Sequence, residues 1–143
     1  RTAFTSEGFY RTGDLAKVVV IDGVRHLSIE GRIKDLINRG GEKINAEEVE
    51  QLLVTHPQVR NAAVVAMPDP RLGERTCAYL VTTDGDPVSM ASVRAHLEEL
   101  GVAKFKWPER LEHVPELPRT NVGKIDKKRL RADVVAKLER SDQ

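Results

Sequence analysis

An α+β domain, a small mixed sheet with three helices packed on it and a β-hairpin in front, is the fold class that three observations predict. Asp22-Gly23 sits between two β-prone runs, the pattern of a tight hairpin turn. Two apolar runs of strand length, residues 61–67 and 77–82, occupy the middle of the chain. Three further stretches carry apolar residues at helical spacing.

Taken in order, residues 17–22 and 24–29 form the hairpin, because a type I′ turn needs positive φ at its two central residues. Residues 36–38 read as a short strand and Gly40-Gly41 as a turn. Asn45 then caps a helix: with Glu48 it has capping-box spacing, and Val49, Leu52 and Leu53 share one apolar face. This helix is expected to end near Thr55, before His56-Pro57. The central strands follow, separated by the Pro- and Gly-containing stretch 68–73. Behind a Ser89 cap, Met90, Val93, Leu97 and Leu100 make the second helix. Residues 110–114 are a short strand, and 115–124 an exposed loop rich in Pro, Thr, Asn and Gly. The last helix starts near Lys127 and buries Leu130, Val134 and Leu138. Residues 1–33 read as a hairpin appendage, with a boundary near 32–35.

Composition narrows the function classes. Among 143 residues, 23 basic and 22 acidic side chains nearly cancel, so no global field favours nucleic acid or anionic lipid. No apolar run approaches the ~18 residues of a membrane helix, and no signal-peptide pattern opens the sequence. The single cysteine, Cys77, excludes an internal disulfide and a cysteine zinc cluster, and fits a reducing, cytoplasmic setting. A sequence that opens at Arg1, without methionine, is expected to be a piece of something larger.

Three polar, glycine-bearing stretches carry the chemistry. In Tyr10-Arg11-Thr12-Gly13-Asp14-Leu15, an aspartate after a glycine can accept two hydroxyl hydrogen bonds, as a ribose requires; an ordinary Asx-turn is the commoner use of such a residue. Gly31-Arg32-Ile33-Lys34-Asp35, followed by Asn38-Arg39-Gly40-Gly41-Glu42-Lys43, can make a hinge and an anion-binding loop. A solvated connection laced with ion pairs, each worth roughly 0–1 kcal/mol, is the bland alternative. Pro118-Arg119-Thr120-Asn121-Val122-Gly123-Lys124 is not a Walker motif, since Ile125 follows the lysine, yet a lysine on such a loop can deliver a point charge to a phosphate. The four histidines lack metal-ligand spacing, and no metal site is expected.

Together and in this order, the three stretches resemble the C-terminal part of the adenylate-forming superfamily: acyl- and aryl-CoA synthetases, luciferases and adenylation domains of peptide synthetases. Within it, Ile37-Asn38-Arg39-Gly40-Gly41-Glu42-Lys43, Leu72-Gly73-Glu74-Arg75 and Lys104-Phe105-Lys106-Trp107-Pro108-Glu109-Arg110 look most like the aryl-acid AMP ligases of siderophore synthesis. These enzymes activate 2,3-dihydroxybenzoate or salicylate. The resemblance implies that residues 1–33 end a large N-terminal domain and that 34–143 form a mobile C-terminal domain. It implies that Asp14 and Arg32 bind nucleotide, that Lys34 is the hinge, and that Gly40 and Gly41 line the pantetheine path. Lys124 would be the catalytic lysine of adenylation. ATP and Mg2+ are the implied cofactors of the full-length enzyme, none being expected on this stretch alone. The implied partners are the large domain, the aryl acid, and an aryl or peptidyl carrier protein with its phosphopantetheine; neither nucleic acid nor membrane is expected. Two other readings stay open, the C-terminal domain of an acyl- or aryl-CoA synthetase and a non-catalytic module that docks a carrier protein. The basic run Lys127-Lys128-Arg129 with Arg131 lacks the aromatic platform of a nucleic-acid site.

Overall fold

The computed structural model describes residues 3–141. Strands β1 (Asp14–Ile21) and β2 (Val24–Arg32) pair antiparallel around Asp22 and Gly23, whose φ values of 51° and 77° are those a type I′ turn demands. A 3-10 turn over Ile33–Asp35 leads into the main sheet.

That sheet has five strands. Its spine is a long antiparallel hairpin, β5 (Val59–Asp69) with β6 (Gly73–Thr82). The stretch 68–73 is therefore mostly strand, with Pro68 opposite Glu74 and Asp69 opposite Gly73. Proline is tolerated there because β5 lies at the edge of the sheet. On the far side of β6 lie β3 (Leu36–Arg39), itself paired with β4 (Glu42–Asn45), and the parallel β7 (Arg110–His113).

Helix α1 (Ala46–Leu53) starts at Asn45, whose side chain accepts from the Glu47 amide at 3.0 Å. The capping box expected with Glu48 is not formed. Glu48 turns instead to Lys106, 2.8 Å away, because an ammonium outbids a backbone amide as partner for a carboxylate. Helix α2 (Met90–Glu99) is capped by Ser89 through the Ser92 amide at 3.1 Å, and Leu100, placed on its apolar face from sequence, is 46% exposed. Helix α3 (Lys127–Ser141) completes the set.

Two cores result, one on each face of the sheet. Val49, Leu53, Val93 and Leu97 of α1 and α2 pack against Val64, Ala78 and Leu80. Leu130 and Val134 of α3 pack on the other face with Val65, Cys77 and Tyr79. Leu52, expected on the apolar face of α1 with Val49 and Leu53, is only half-buried, whereas those two are buried. Cys77 is buried as its strand implied, and burial pushes its thiol up to about 12. No helix among the described residues is long and apolar enough to cross a membrane.

Candidate functional site

Pairing in the first hairpin puts Asp14 and Arg32 directly opposite each other. Arg32 Nε lies 3.4 Å from an Asp14 carboxylate oxygen, and its Nη2 donates to the Thr12 carbonyl at 3.4 Å. Both side chains remain well exposed, so the pair contributes at most about 1 kcal/mol, and the carboxylate stays free to accept hydroxyls. The Ile33 amide ties the hairpin's exit back to the Gly13 carbonyl at 2.8 Å. Lys34 then stands exposed at the centre of the 3-10 turn.

Lys124 arrives from the opposite end of the sequence on a built turn. Thr120 donates its amide to the Lys124 carbonyl at 2.7 Å, and Gly123, at a φ of 82°, donates to the Thr120 carbonyl at 2.9 Å. Arg119 clamps the Gly123 carbonyl at 2.8 Å. The exposed loop expected over 115–124 is thus ordered locally, and Leu117 within it is buried. Two residues on, Asp126 caps α3 by accepting from the Arg129 amide at 3.1 Å, while its own amide bonds the Pro118 carbonyl at 2.8 Å.

A groove of about 670 Å³ brings Arg32, Lys34, Thr120 and Lys124 together with Lys127 and Arg131. Three of these cations are already engaged: Arg32 with Asp14 at 3.4 Å, Lys127 with Glu50 at 2.6 Å and Arg131 with Asp35 at 3.9 Å. Among the described residues Lys34 and Lys124 form no ion pair. An unpaired ammonium beside an open groove is suited to meet an anion.

Gly40 and Gly41 lie outside this groove, at the β3–β4 turn. Gly40 has a φ of 57°, its amide donates to the Leu72 carbonyl at 2.8 Å, and a Cβ there would come within 3.0 Å of Leu72 Cδ2. Asn38 accepts from the Gly41 amide at 3.2 Å. Leu72 is fixed in turn by Asp69, which accepts from the Arg71 and Leu72 amides; those amides, Leu72 first, outweigh burial and hold its carboxyl below the usual range. Arg39 makes a two-pronged bond to Glu109 at 2.9 and 3.1 Å. The sequence motifs thus gather into two places, a basic groove and a backbone-lined turn. Glu50, Asp126 and Lys127, which build the groove's wall, had no signal of their own in the sequence beyond Lys127 lying in a basic run.

Solved structures define the class. The ATP-bound crystal structure of MatB from Rhodopseudomonas palustris superimposes with a TM-score of 0.79 at 34% identity, covering 92% of this chain and 25% of that one. The chain belongs to the family described as AMP-binding enzyme C-terminal domain, whose profile matches residues 48–124. A salicylyl-CoA synthase / salicylate adenylyltransferase of Streptomyces sp is 58% identical over 133 residues, which are 93% of this chain and 23% of that protein. The 2,3-dihydroxybenzoate-AMP ligase of Bacillus subtilis is 49% identical over 136 residues, 95% of this chain and 24% of that protein. The chain therefore spans about a quarter of the length of these relatives.

Proposed function

We propose that the chain is the C-terminal portion of an aryl-acid AMP ligase. The full enzyme would activate 2,3-dihydroxybenzoate or salicylate with ATP, then pass the acyl group to a carrier protein's phosphopantetheine thiol in siderophore synthesis. One observation carries the reading: Arg32, Lys34 and Lys124, from motifs far apart in sequence, meet in one groove beside Asp14. The names of the relatives supply the substrate class. Residues 1–33 are assigned to the large domain and 34–143 to the mobile one. In support, Val18, Val20, Leu27 and Ile29 of the hairpin are each more than half exposed and await a cover.

In the first half-reaction a carboxylate oxygen of the aryl acid attacks the α-phosphorus and diphosphate leaves. Lys124 is assigned to steady the charge that develops on the α-phosphoryl oxygens. Asp14 accepts from the ribose hydroxyls, and Arg32 keeps that carboxylate oriented while facing the phosphates. In the second half-reaction the thiol sulfur attacks the acyl carbonyl and AMP departs. Lys124 then has to vacate the path, and rotation about Lys34 brings the Gly40–Gly41 turn up instead, its backbone leaving room for a slender pantetheine arm. Magnesium, which travels with the phosphates of ATP and needs only one or two protein carboxylates, is assigned to the large domain, and no step here depends on it. A second reading, a CoA synthetase, is favoured by the name of the Streptomyces relative and differs only in the thiol acceptor.

Single-turnover kinetics of the full-length enzyme test the assignment. Lys124→Ala should slow adenylation by about 10²–10³, the usual loss of one electrostatic stabiliser, and leave thioester formation from supplied acyl-adenylate near the parental rate. Equal losses in both steps would remove Lys124 from this role.

A further inference from the structure

We infer that Glu50 is a positioning residue for Lys124, acting through Lys127, an inference that rests on the proposed role of Lys124. Helix α1 lies on one face of the sheet and α3 on the other. Between them runs β5, the edge strand. Glu50 reaches from α1 to that edge, where one carboxylate oxygen accepts both the Val64 amide at 2.8 Å and the Lys127 ammonium at 2.6 Å. Both side chains are only 16% exposed. The pair is a strap passed around the sheet edge, joining layers that otherwise face apart.

What the strap holds is the first residue of α3, three positions after Lys124. Asp126 caps the helix between them and is anchored to Pro118, so the Thr120–Lys124 turn hangs from a short, braced segment. The strap also sorts charge. Lys127 and Lys124 border the same groove, and an unpaired Lys127 would compete with Lys124 for any anion there. With Glu50 holding Lys127, and Asp35 beside Arg131, the unpaired ammoniums lining the groove are Lys34, Lys128 and, on the loop itself, Lys124.

Glu50→Gln tests this cleanly, because the amide oxygen still accepts from Val64 while the charge is lost. Two measurements apply. In the 143-residue chain, ¹⁵N relaxation should show the Gly123 and Lys124 amides falling from order parameters of about 0.85 toward 0.6, with the β5–β6 amides unchanged. In the full-length enzyme, adenylation should slow about tenfold while thioester formation from supplied acyl-adenylate holds, and adding Lys127→Gln should restore part of the rate. A loop already mobile in the parent, a loop indifferent to the substitution, or equal losses in both half-reactions overturns the inference. If Glu50→Gln does not fold, Lys127→Gln is read by the same measurements; if neither folds, the pair serves folding and the inference is wrong. Lys124→Ala separates the two levels. Intact adenylation in Lys124→Ala sinks the proposed function and this inference together, whereas a crippled Lys124→Ala beside an unaffected Glu50→Gln sinks this one alone.

Discussion

His56 lies three residues beyond the end of α1 and is 6% exposed. Its Nδ1 accepts from the Gln58 amide at 3.2 Å, which leaves the proton on Nε2, 2.9 Å from the Ser92 hydroxyl. The His96 ring stands edge-on with its centroid 5.1 Å away, and His96 Nε2 meets the Thr55 hydroxyl at 2.7 Å. Burial first, and the neighbouring His96 second, hold the His56 pKa below the ordinary imidazole value. The unfolded chain therefore takes up this proton more readily than the folded one. The neutral ring's contribution is complete above about pH 6.5 and is lost as pH falls from there through the folded value. Thermal melts at a series of pH values check it: the parent should lose more melting temperature between about pH 7 and 5 than His56→Gln does. Parallel curves would assign the acid sensitivity elsewhere. Asp69, held low chiefly by the Leu72 amide, acts only at more acidic pH.

At the scale of the element, the β3–β4 turn makes a demand that one residue type meets. A φ of 57° at Gly40 is left-handed, and any Cβ there presses on Leu72 at 3.0 Å. Gly40→Ala should cost roughly 1–2 kcal/mol for the backbone alone, measured by urea unfolding. Making Leu72→Ala with it should relieve the steric share and leave the backbone share in place. An unaltered unfolding midpoint would mean that the turn adopts another conformation. This turn was legible from Gly40-Gly41, as was the first hairpin from Asp22-Gly23, because both depend on local φ preferences. Strand β4 was not legible, since Glu42, Lys43 and Asn45 are polar and only Ile44, fully buried, marks it as part of a sheet. Glu48 misled for a related reason: its spacing from Asn45 is local information, and Lys106, which claims it, lies 58 positions away. The groove follows the same rule. Asp14, Lys34 and Lys124 were visible as motif residues, whereas the Glu50–Lys127 strap exists only once the two helices lie on opposite faces of one edge strand.

For the whole molecule, stability is divided unevenly. The main sheet is covered on both faces, while the hairpin of β1 and β2 is joined to it mainly through Asn45, whose side-chain amide donates to the Glu30 carbonyl. A two-stranded hairpin with its apolar residues in water is marginal by itself. Amide exchange on the isolated chain should accordingly be fast over 14–32 and slow over 59–82, and calorimetry with ATP should give little or no heat, since Asp14 and Arg32 sit on the marginal part. Protection of the hairpin equal to that of β5 and β6 would mean that it is stable without a cover, and micromolar ATP binding would make this chain a nucleotide-binding module in its own right.

The covered sheet has a chemical consequence as well. An acyl-adenylate is an indiscriminate acylating agent, and the proposed reaction keeps one beside a thiol-seeking surface. Cys77, the chain's lone thiol, sits between β5 and β7 under α3 with its ionisation pushed out of the physiological range. Within these 143 residues, therefore, the proposed intermediate meets no sulfur nucleophile, and an acceptor thiol reaching the site faces no rival from this stretch of chain.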